Sequence, residues 1–332
     1  MLKVERVLLT TSCSHALELA LMALGVGPGD EVVMPSFTFV STANAALRVG
    51  ARPVFADIEA ETLGLDATDA AARLTDRSKV LMPVHYAGIA PDMDRLGALA
   101  RNREMKLVED AAQGLGGSFR GRPLGGLGDA GALSFHETKN ITCGEGGALA
   151  IRDRQLAQRA EIIREKGTNR AQFLRGEVEK YSWMAEGSSF VLSDVLAALL
   201  DAQLDRLDAI QKRRGWVARR YREDLGDWAV AHGVRLPAEL PHRDSPHHIF
   251  YLLCPDRSFR DRLLDGLHAN GVRAAFHFVP LHTSPFGGEL GQKEVQLPVT
   301  DRISQTLVRL PLHPLLSESD VARVVESVVR MA

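Results

Sequence analysis

Residues 134–148 read SFHETKNITCGEGGA and place Lys139 between two apolar, strand-like runs at 130–135 and 148–151. A lysine that is removed from water loses its proton more readily, and the neutral amine can condense with a carbonyl such as that of pyridoxal phosphate. The alternative is a structural lysine that neutralises Glu137 or Glu145. This stretch alone leaves both interpretations open.

The composition limits the class of protein. The 332 residues are 45% hydrophobic and 25% charged, which is typical of a soluble globular protein with about two domains. A formal net charge of -2 disfavours nucleic acid as a partner. No apolar run approaches the roughly 18 residues that span a bilayer, and no signal peptide is recognisable. We expect a cytoplasmic protein with no membrane partner and with its three cysteines reduced.

The first half of the chain alternates between strand-like and helix-like segments. Strand-like runs at 31–34, 53–58, 80–84 and 105–109 are separated by helix-like segments at 40–49, 67–74 and 93–103. This alternation predicts an α/β domain with a largely parallel sheet. Ligands of such sheets bind beyond the carboxyl ends of the strands, which directs attention to His85, Tyr86 and Asp110.

A second candidate feature is the start of the first helix. Ser12 and Ser14 precede an almost entirely apolar run at 16–24, so either serine can cap a buried helix. The free N–H groups and positive dipole end of a buried helix suit a phosphate. The alternative is a capped core helix that binds no ligand.

Asp110 ends a predicted strand, and a carboxylate buried there needs a partner. A protonated ring nitrogen about 4 Å away would gain roughly 4 kcal/mol at an effective dielectric near 20, or about three pKa units. That gain would keep a pyridine ring protonated at neutral pH. The alternative is an aspartate that caps the following helix.

Two other segments match part of a known motif but lack a feature that the motif requires. The GLGDAG run at 126–131 matches the dinucleotide-binding fingerprint, but a strand-like run follows it instead of the required helix. His136-Glu137 begins like a zinc-protease motif, yet Asn140 occupies the position of the second histidine. We therefore expect no nicotinamide cofactor and no metal.

The second half of the chain predicts a functional loop and a smaller domain. Residues 167–187 are polar and lack periodicity, and Ser193-Asp194 caps a long helix. Strands are predicted at 249–254 and 272–278, and helices at 257–270, 300–308 and 317–331. We expect a large α/β domain over residues 1–215 and a small α+β domain over residues 216–332.

Several segments, taken in order, resemble one known family. They are MPSFTFVSTAN at 34–44, PVHYAG at 83–88, VEDAAQG at 108–114, SFHETKN at 134–140, GEGGA at 144–148, REKGTNR at 164–170 and PLH at 280–282. From about Val7 to the C-terminus, the chain resembles the DegT-type sugar-nucleotide aminotransferases, which are pyridoxal-phosphate enzymes of aspartate-aminotransferase fold, or fold type I. Within the family it is most similar to the members that form dTDP-4-amino-4,6-dideoxygalactose.

The resemblance implies roles for individual residues. Lys139 would form the Schiff base with the cofactor and later move the substrate proton, and Asp110 would pair with the pyridine nitrogen. Gln113 would lie near the phenolic edge of the ring, and Phe39 would stack on its face. Ser14, the backbone of His15, and Ser134 would hold the phosphate. Ser189 stands where the neighbouring subunit of a homodimer contributes an asparagine. Substrate contacts are expected from His85, Tyr86, Arg170, Tyr181, His277 and His282.

The lysine at position 139 implies transamination, since the dehydrating branch of the family carries histidine there. The resemblance implies that L-glutamate donates the amino group and that the acceptor is the C4 ketone of a dTDP-4-keto-6-deoxyhexose, with a galacto product. Family members usually begin a few tens of residues earlier, with a segment that helps to close the active site. This leaves an alternative open, namely a cofactor-binding but catalytically weak structural or regulatory paralogue.

Overall fold

The computed structural model describes residues 1–292 and 294–331. The strands are β1 (Arg6–Thr10), β2 (Glu31–Pro35), β3 (Arg52–Ala56), β4 (Ser78–Leu81), β5 (Lys106–Asp110), β6 (Ser118–Phe119), β7 (Arg122–Pro123), β8 (Ala130–Ser134), β9 (Gly147–Ile151), β10 (Arg243–Asp244), β11 (Phe250–Leu253) and β12 (Leu307–Leu310). The helices are α1 (Cys13–Leu24), α2 (Val40–Arg48), α3 (Ala67–Arg73), α4 (Met93–Asn102), α5 (Arg154–Arg164), α6 (Arg170–Leu174), α7 (Asp194–Leu204), α8 (Leu207–Ala231), α9 (Arg257–Ala269), α10 (Pro285–Glu289), α11 (Pro298–Thr306) and α12 (Glu318–Val329).

The main sheet has the strand order β1-β9-β8-β5-β4-β2-β3. Its pairs are parallel from β8 through β5, β4 and β2 to β3, whereas β9 runs antiparallel to both β1 and β8. The predicted α/β class is thereby confirmed. Because β2, β4, β5 and β8 run in one direction, the residues that follow them meet at one edge of the sheet.

Helix α1 packs against the main sheet and positions its own N-terminus at that edge. Ser12 caps it, with the His15 N–H donating to Ser12 Oγ at 3.1 Å. Gly25 ends it at a φ of 74°, where its N–H donates to the carbonyls of Leu21 and Met22. Such a left-handed end suits glycine, which has no Cβ to clash. The helix therefore has fixed limits at both ends.

The C-terminal part has its own core. Strands β11 and β12 pair antiparallel, and α8, α9 and α12 pack around them through residues such as Val217, Tyr221 and Val324. The predicted domain boundary at 215/216 falls inside α8 and stays a prediction. Within the described residues, no helix combines the length and apolar character that a membrane-spanning helix needs.

Two local predictions for the second half were wrong, and a third differed in where the helix ends. The long helix predicted from residue 194 is broken between α7 and α8. The strand predicted at 272–278 is reduced to an isolated bridge between Ala275 and Arg309. The helix predicted at 300–308 ends at Thr306, and the chain continues as strand β12. Pairing of residues 307–310 with β11 overrides the helical periodicity, because Val308 and Leu310 are then buried in the core of the C-terminal part.

Candidate active site

A cavity of about 690 Å³ opens at the carboxyl edge of the main sheet, between that sheet and the strands of the C-terminal part. Seven of the predicted site residues line it, namely Ser14, Phe39, Asp110, Gln113, Ser134, Lys139 and His277. The remaining predicted residues lie outside its lining, namely His15, His85, Tyr86, Arg170, Tyr181, Ser189 and His282. A volume of this size is within the usual range for a small-molecule site.

Lys139 lies half-buried in the turn that joins β8 to β9. Burial lowers the pKa of its amine, and the positive charge of Arg309 adds to the effect, against opposing contributions from Cys13 and Asp110. In the described part of the chain, no ion pair joins Lys139 to Glu137 or Glu145. The nearby Glu145 carboxylate lies 3.4 Å from Nε2 of His136 instead. These surroundings favour a desolvated, reactive amine over a lysine that neutralises a neighbouring acid.

Asp110 presents a fixed carboxylate to the same cavity. The Thr42 hydroxyl donates to Oδ2 at 2.7 Å, and the Ala112 N–H donates to Oδ1 at 3.1 Å. Thr42 is in turn 2.7 Å from the hydroxyl of Thr38. Hydrogen bonds to both oxygens leave the carboxylate little freedom of rotation. The carboxylate is therefore oriented before any ligand binds.

The start of α1 brings groups that can donate hydrogen bonds to an anion to the cavity. Ser14 lines the cavity and donates to Ser41 Oγ at 2.7 Å, and Ser134 lines it from the end of β8. Gly147 of β9 packs directly beneath the helix start, since a Cβ there would lie 2.3 Å from the Ser12 carbonyl carbon and 2.4 Å from Cys13 N. His15 contributes no side chain here, because its ring packs against Phe190 at 5.0 Å. The N-terminus is thus held in place by backbone contact with the sheet.

Two further predicted residues border the space between Lys139 and Asp110. Phe39 is 59% exposed and lies 6.4 Å from the ring of Phe278. Gln113 accepts a hydrogen bond of 2.6 Å from the Ala87 N–H through Oε1, so its amide nitrogen is left for other partners. Ala87 has a φ of 54°, and this bond helps to hold that unusual backbone conformation.

His85 belongs to a buried polar cluster beside the cavity. Its Nε2 is 2.8 Å from Oε2 of Glu109, and both side chains are fully buried. Glu109 also accepts from the N–H groups of Gly125, Leu127 and Gly128 at 2.7–2.9 Å. The glycine-rich run that imitates a dinucleotide fingerprint therefore binds a carboxylate of the same chain. Glu109 and Asp110 are neighbours in β5 that serve opposite faces, as strand alternation requires.

Replacing Glu109 with glutamine tests this cluster. The amide would turn a donor toward groups that are already donors, so we expect the free energy of unfolding to fall by about 2–4 kcal/mol. Urea unfolding measures the change, and the exposed Glu223→Gln is the matched control. A Glu109→Gln variant as stable as that control would show that the cluster contributes little.

The other predicted substrate residues have structural partners in this chain. His282 is fully buried and lies 2.8 Å from the hydroxyl of Ser36. Arg170 is 4.0 Å from Glu165, and the ring of Tyr181 packs on Phe173 at 5.7 Å. Ser189 pairs with Glu165 through a backbone bridge. Their predicted contacts with substrate or with a partner's cofactor stay predictions.

Sequence reasoning missed three residues that shape the cavity. Asn140 donates to the Pro246 carbonyl at 2.7 Å and accepts from His248, whose Nδ1 is 2.8 Å from Oδ1. Burial and the neighbouring cations hold the pKa of His248 well below its usual value, so the ring is neutral at pH 7. Arg309 was missed because no strand was predicted at 307–310, and the predicted helix ended at Val308, one residue before it. An arginine alternating with Val308 and Leu310 was the available signal.

The chain matches the DegT/DnrJ/EryC1/StrS aminotransferase family over residues 1–329. It belongs to this family. Spore coat polysaccharide biosynthesis protein SpsC of Bacillus subtilis (strain 168) is 37% identical over 328 residues, covering 96% of this chain and 83% of SpsC. The predicted family is therefore confirmed.

Solved structures agree with the family over nearly the whole chain. DesV of S. venezuelae, in complex with a ketimine intermediate, is 34% identical with a TM-score of 0.90, covering 99% of this chain and 85% of DesV. The PLP form of Spr1654 from Streptococcus pneumoniae is 26% identical with a TM-score of 0.90, covering 99% of this chain and 88% of Spr1654. These neighbours are aminotransferases of fold type I, so the predicted fold class is confirmed.

Aminotransferases of this family depend on pyridoxal phosphate, which confirms the predicted cofactor. The functional groups that line the cavity are those that pyridoxal phosphate requires. The cavity offers an amine of lowered pKa, a fixed carboxylate, and a helix N-terminus with serine hydroxyls. In the described residues, no group of three or more His, Cys, Asp and Glu side chains is arranged to hold a metal ion.

Proposed function

We propose that this aminotransferase transfers the amino group of L-glutamate to the C4 ketone of a dTDP-4-keto-6-deoxyhexose, giving the galacto 4-amino-4,6-dideoxy sugar nucleotide. The observation that carries the proposal is the placement of Lys139, Asp110 and the start of α1 around one cavity. Action on a sugar is supported by likeness to SpsC, a polysaccharide biosynthesis protein, and to Spr1654 of Streptococcus pneumoniae, which is described as a sugar aminotransferase. The cavity lining also carries the cations Arg214, Arg273 and Arg309, which suit anionic substrates.

Several of the residues that line the cavity would each have a separate role in holding the cofactor. The start of α1, with Ser14 and Ser134, would hold the cofactor phosphate, and Asp110 would hold its ring nitrogen in the protonated form. Phe39 would pack on the ring, and Gln113 would face its phenolic edge. Pyridoxal phosphate, when bound, supplies the electron sink and carries the amino group.

Lys139 would move the proton. Its lowered pKa means that a larger fraction is neutral near pH 7 than for an exposed lysine, so it can accept the proton of the amino-acid α-carbon. Lys139 would return that proton at another carbon, and water would then hydrolyse the bond between the nitrogen and the former α-carbon, which releases the keto acid. Because its pKa is held well below the usual value, His248 is a weak base and competes little with Lys139 for the proton.

Turnover tests the proposal. Purified protein with pyridoxal phosphate and L-glutamate should form 2-oxoglutarate and the amino sugar when dTDP-4-keto-6-deoxyglucose is added. A panel of keto sugars with other nucleotides, and of ketones without a nucleotide, tests the substrate. Preference for a ketone outside the panel's dTDP sugars would overturn the substrate assignment. No 2-oxoglutarate above the Lys139→Ala level with any acceptor would favour a cofactor-binding paralogue of weak activity.

We also propose a homodimer with shared active sites. Apolar side chains are exposed from α6 to α7, among them Trp183 at 81% and Val195 at 79%, and Ser189 lies in the same segment. Exposed apolar groups gathered on one segment are typical of an interaction surface. Light scattering should give twice the 36.2 kDa chain mass, and the chain mass itself would contradict the proposal. The cytoplasmic location stays a prediction.

A further inference from the structure

Arg309 occupies a rigid position at the boundary between the two cores. Its strand pairs with β11, where Tyr251 is the partner of Arg309. On its other side, the Arg309 N–H donates to the Ala275 carbonyl at 2.7 Å, and the Ala275 N–H donates back at 3.1 Å. Val308 and Leu310 are buried in the second core. Alternation along the strand therefore sends the arginine side chain to the opposite face, where it lines the cavity.

The charge of this arginine is not neutralised within the part of the chain that the structure describes. No carboxylate of residues 1–292 or 294–331 forms an ion pair with it, and its buried Nε has no hydrogen-bond partner there. Arg214, which lines the same cavity, differs because it donates to the carbonyls of His247 and His248 at 3.0 and 2.8 Å. A partly buried guanidinium with a free donor is costly unless an anion joins it.

His277 holds the guanidinium in position without balancing its charge. Arg309 Nη1 lies 2.5 Å from Nε2 of His277 and 3.2 Å from its Nδ1, and because arginine can only donate, the closer nitrogen, Nε2, accepts. The imidazole proton is then on Nδ1, which faces the Tyr86 hydroxyl at 3.1 Å. Burial and Arg309 lower the pKa of His277 to about 3, consistent with a neutral ring. The Arg309 guanidinium, which lines the cavity, is thus held in place by a chain of oriented groups.

We propose that Arg309 binds the α-carboxylate of the amino donor and of its keto-acid product, and that His277 and Tyr86 orient it. The inference rests on the proposed function. The α-carboxylate is bonded to the carbon that Lys139 must deprotonate, and Arg309 and Lys139 line the same cavity, where the charge of Arg309 also lowers the pKa of the amine. The diphosphate of a 4-keto sugar nucleotide is attached across the hexose ring from the reacting carbon, so it reaches farther outward. A guanidinium is well matched to a carboxylate by paired, charge-assisted hydrogen bonds.

Measuring the two half-reactions separately distinguishes binding of the amino donor by Arg309 from a general effect of Arg309 on the active site. In the Arg309→Gln variant we expect the kcat/KM for L-glutamate in the first half-reaction to fall about 10- to 150-fold, as for loss of a charge-assisted contact. Amination of the keto sugar by the pre-formed pyridoxamine enzyme should change less than about threefold. Arg309→Lys should recover part of the loss because it keeps the charge. The exposed Arg302→Gln on α11 is the matched control.

Direct binding separates failure of this inference from failure of the proposed function. Calorimetry with 2-oxoglutarate, on the cofactor-loaded protein, should show binding to the wild type and to Arg302→Gln, and at least tenfold weaker binding to Arg309→Gln. Equal binding to both variants, or equal loss in both half-reactions by a folded Arg309→Gln protein, would overturn the inference. If the wild type binds the keto acid but aminates no sugar, the substrate proposal fails and the Arg309 assignment survives.

Discussion

Replacing Lys139 with alanine is expected to lower the rate of transamination by at least about 10³-fold, since positioned proton transfer alone contributes roughly 10²- to 10⁴-fold. The side chain is half-buried in the turn between β8 and β9 and forms no ion pair with the neighbouring acids in the described chain. Its removal should therefore leave the fold intact. The rate of 2-oxoglutarate formation from L-glutamate measures the loss.

The exposed Lys212→Ala on α8 provides the control for charge and for loss of a lysine. Thermal unfolding should give the two variants melting temperatures close to that of the wild type. A Lys139→Ala protein that is folded and retains more than a tenth of the activity would contradict the assigned role. Another amine in the cavity would then have to move the proton.

Replacing Asp110 with asparagine should reduce turnover by about 10²- to 10³-fold, because a carboxylate beside a ring nitrogen is worth up to about three pKa units. Asparagine has nearly the same shape. Its carbonyl oxygen can still accept from the Ala112 N–H, and the Thr42 hydroxyl can rotate to accept from the amide. The variant should therefore fold and lose charge alone.

Steady-state kinetics at saturating L-glutamate measure this effect. The exposed Asp227→Asn on α8 is the matched control and should keep full activity. Thermal unfolding with and without pyridoxal phosphate shows whether the cofactor is still bound. Activity within about threefold of the wild type would mean that the Asp110 charge is not what sustains the reaction.

The sequence was most informative where a chemically reactive residue lies at the end of a predicted strand or at the start of a predicted helix. Three features were recognisable from their neighbouring residues alone: Lys139 in the turn after β8, Asp110 at the end of β5, and the capped start of α1. Parallel strands bring such positions to one edge of the sheet. The structure places all three around one cavity. What local sequence could not show was the partner of Glu109, the residue beside Asp110. Both are buried, and only the sheet shows that Glu109 faces the glycine-rich run while Asp110 faces the cavity.

Contacts between distant parts of the chain were beyond local reasoning. His85 is adjacent to the cavity-lining Val84, yet it turns to Glu109 and leaves the cavity to its neighbour. His277 and Arg309 are 32 positions apart, and they meet because Ala275 bridges to strand β12. The sequence prediction placed Leu307 and Val308 at the end of a helix and assigned no element to Arg309, so the arginine had no predicted role. Tertiary pairing decided the outcome in both cases.

Borohydride reduction followed by peptide mapping tests the central assignment most directly. Reduction of the cofactor-loaded protein should fix the phosphopyridoxyl group on Lys139. Trypsin does not cleave after a modified lysine or before Pro123, so the labelled peptide should extend from Gly121 to Arg152. Label on that peptide at Lys139 is the result we predict. Label on a different lysine, or no label on a protein that binds the cofactor, would contradict it.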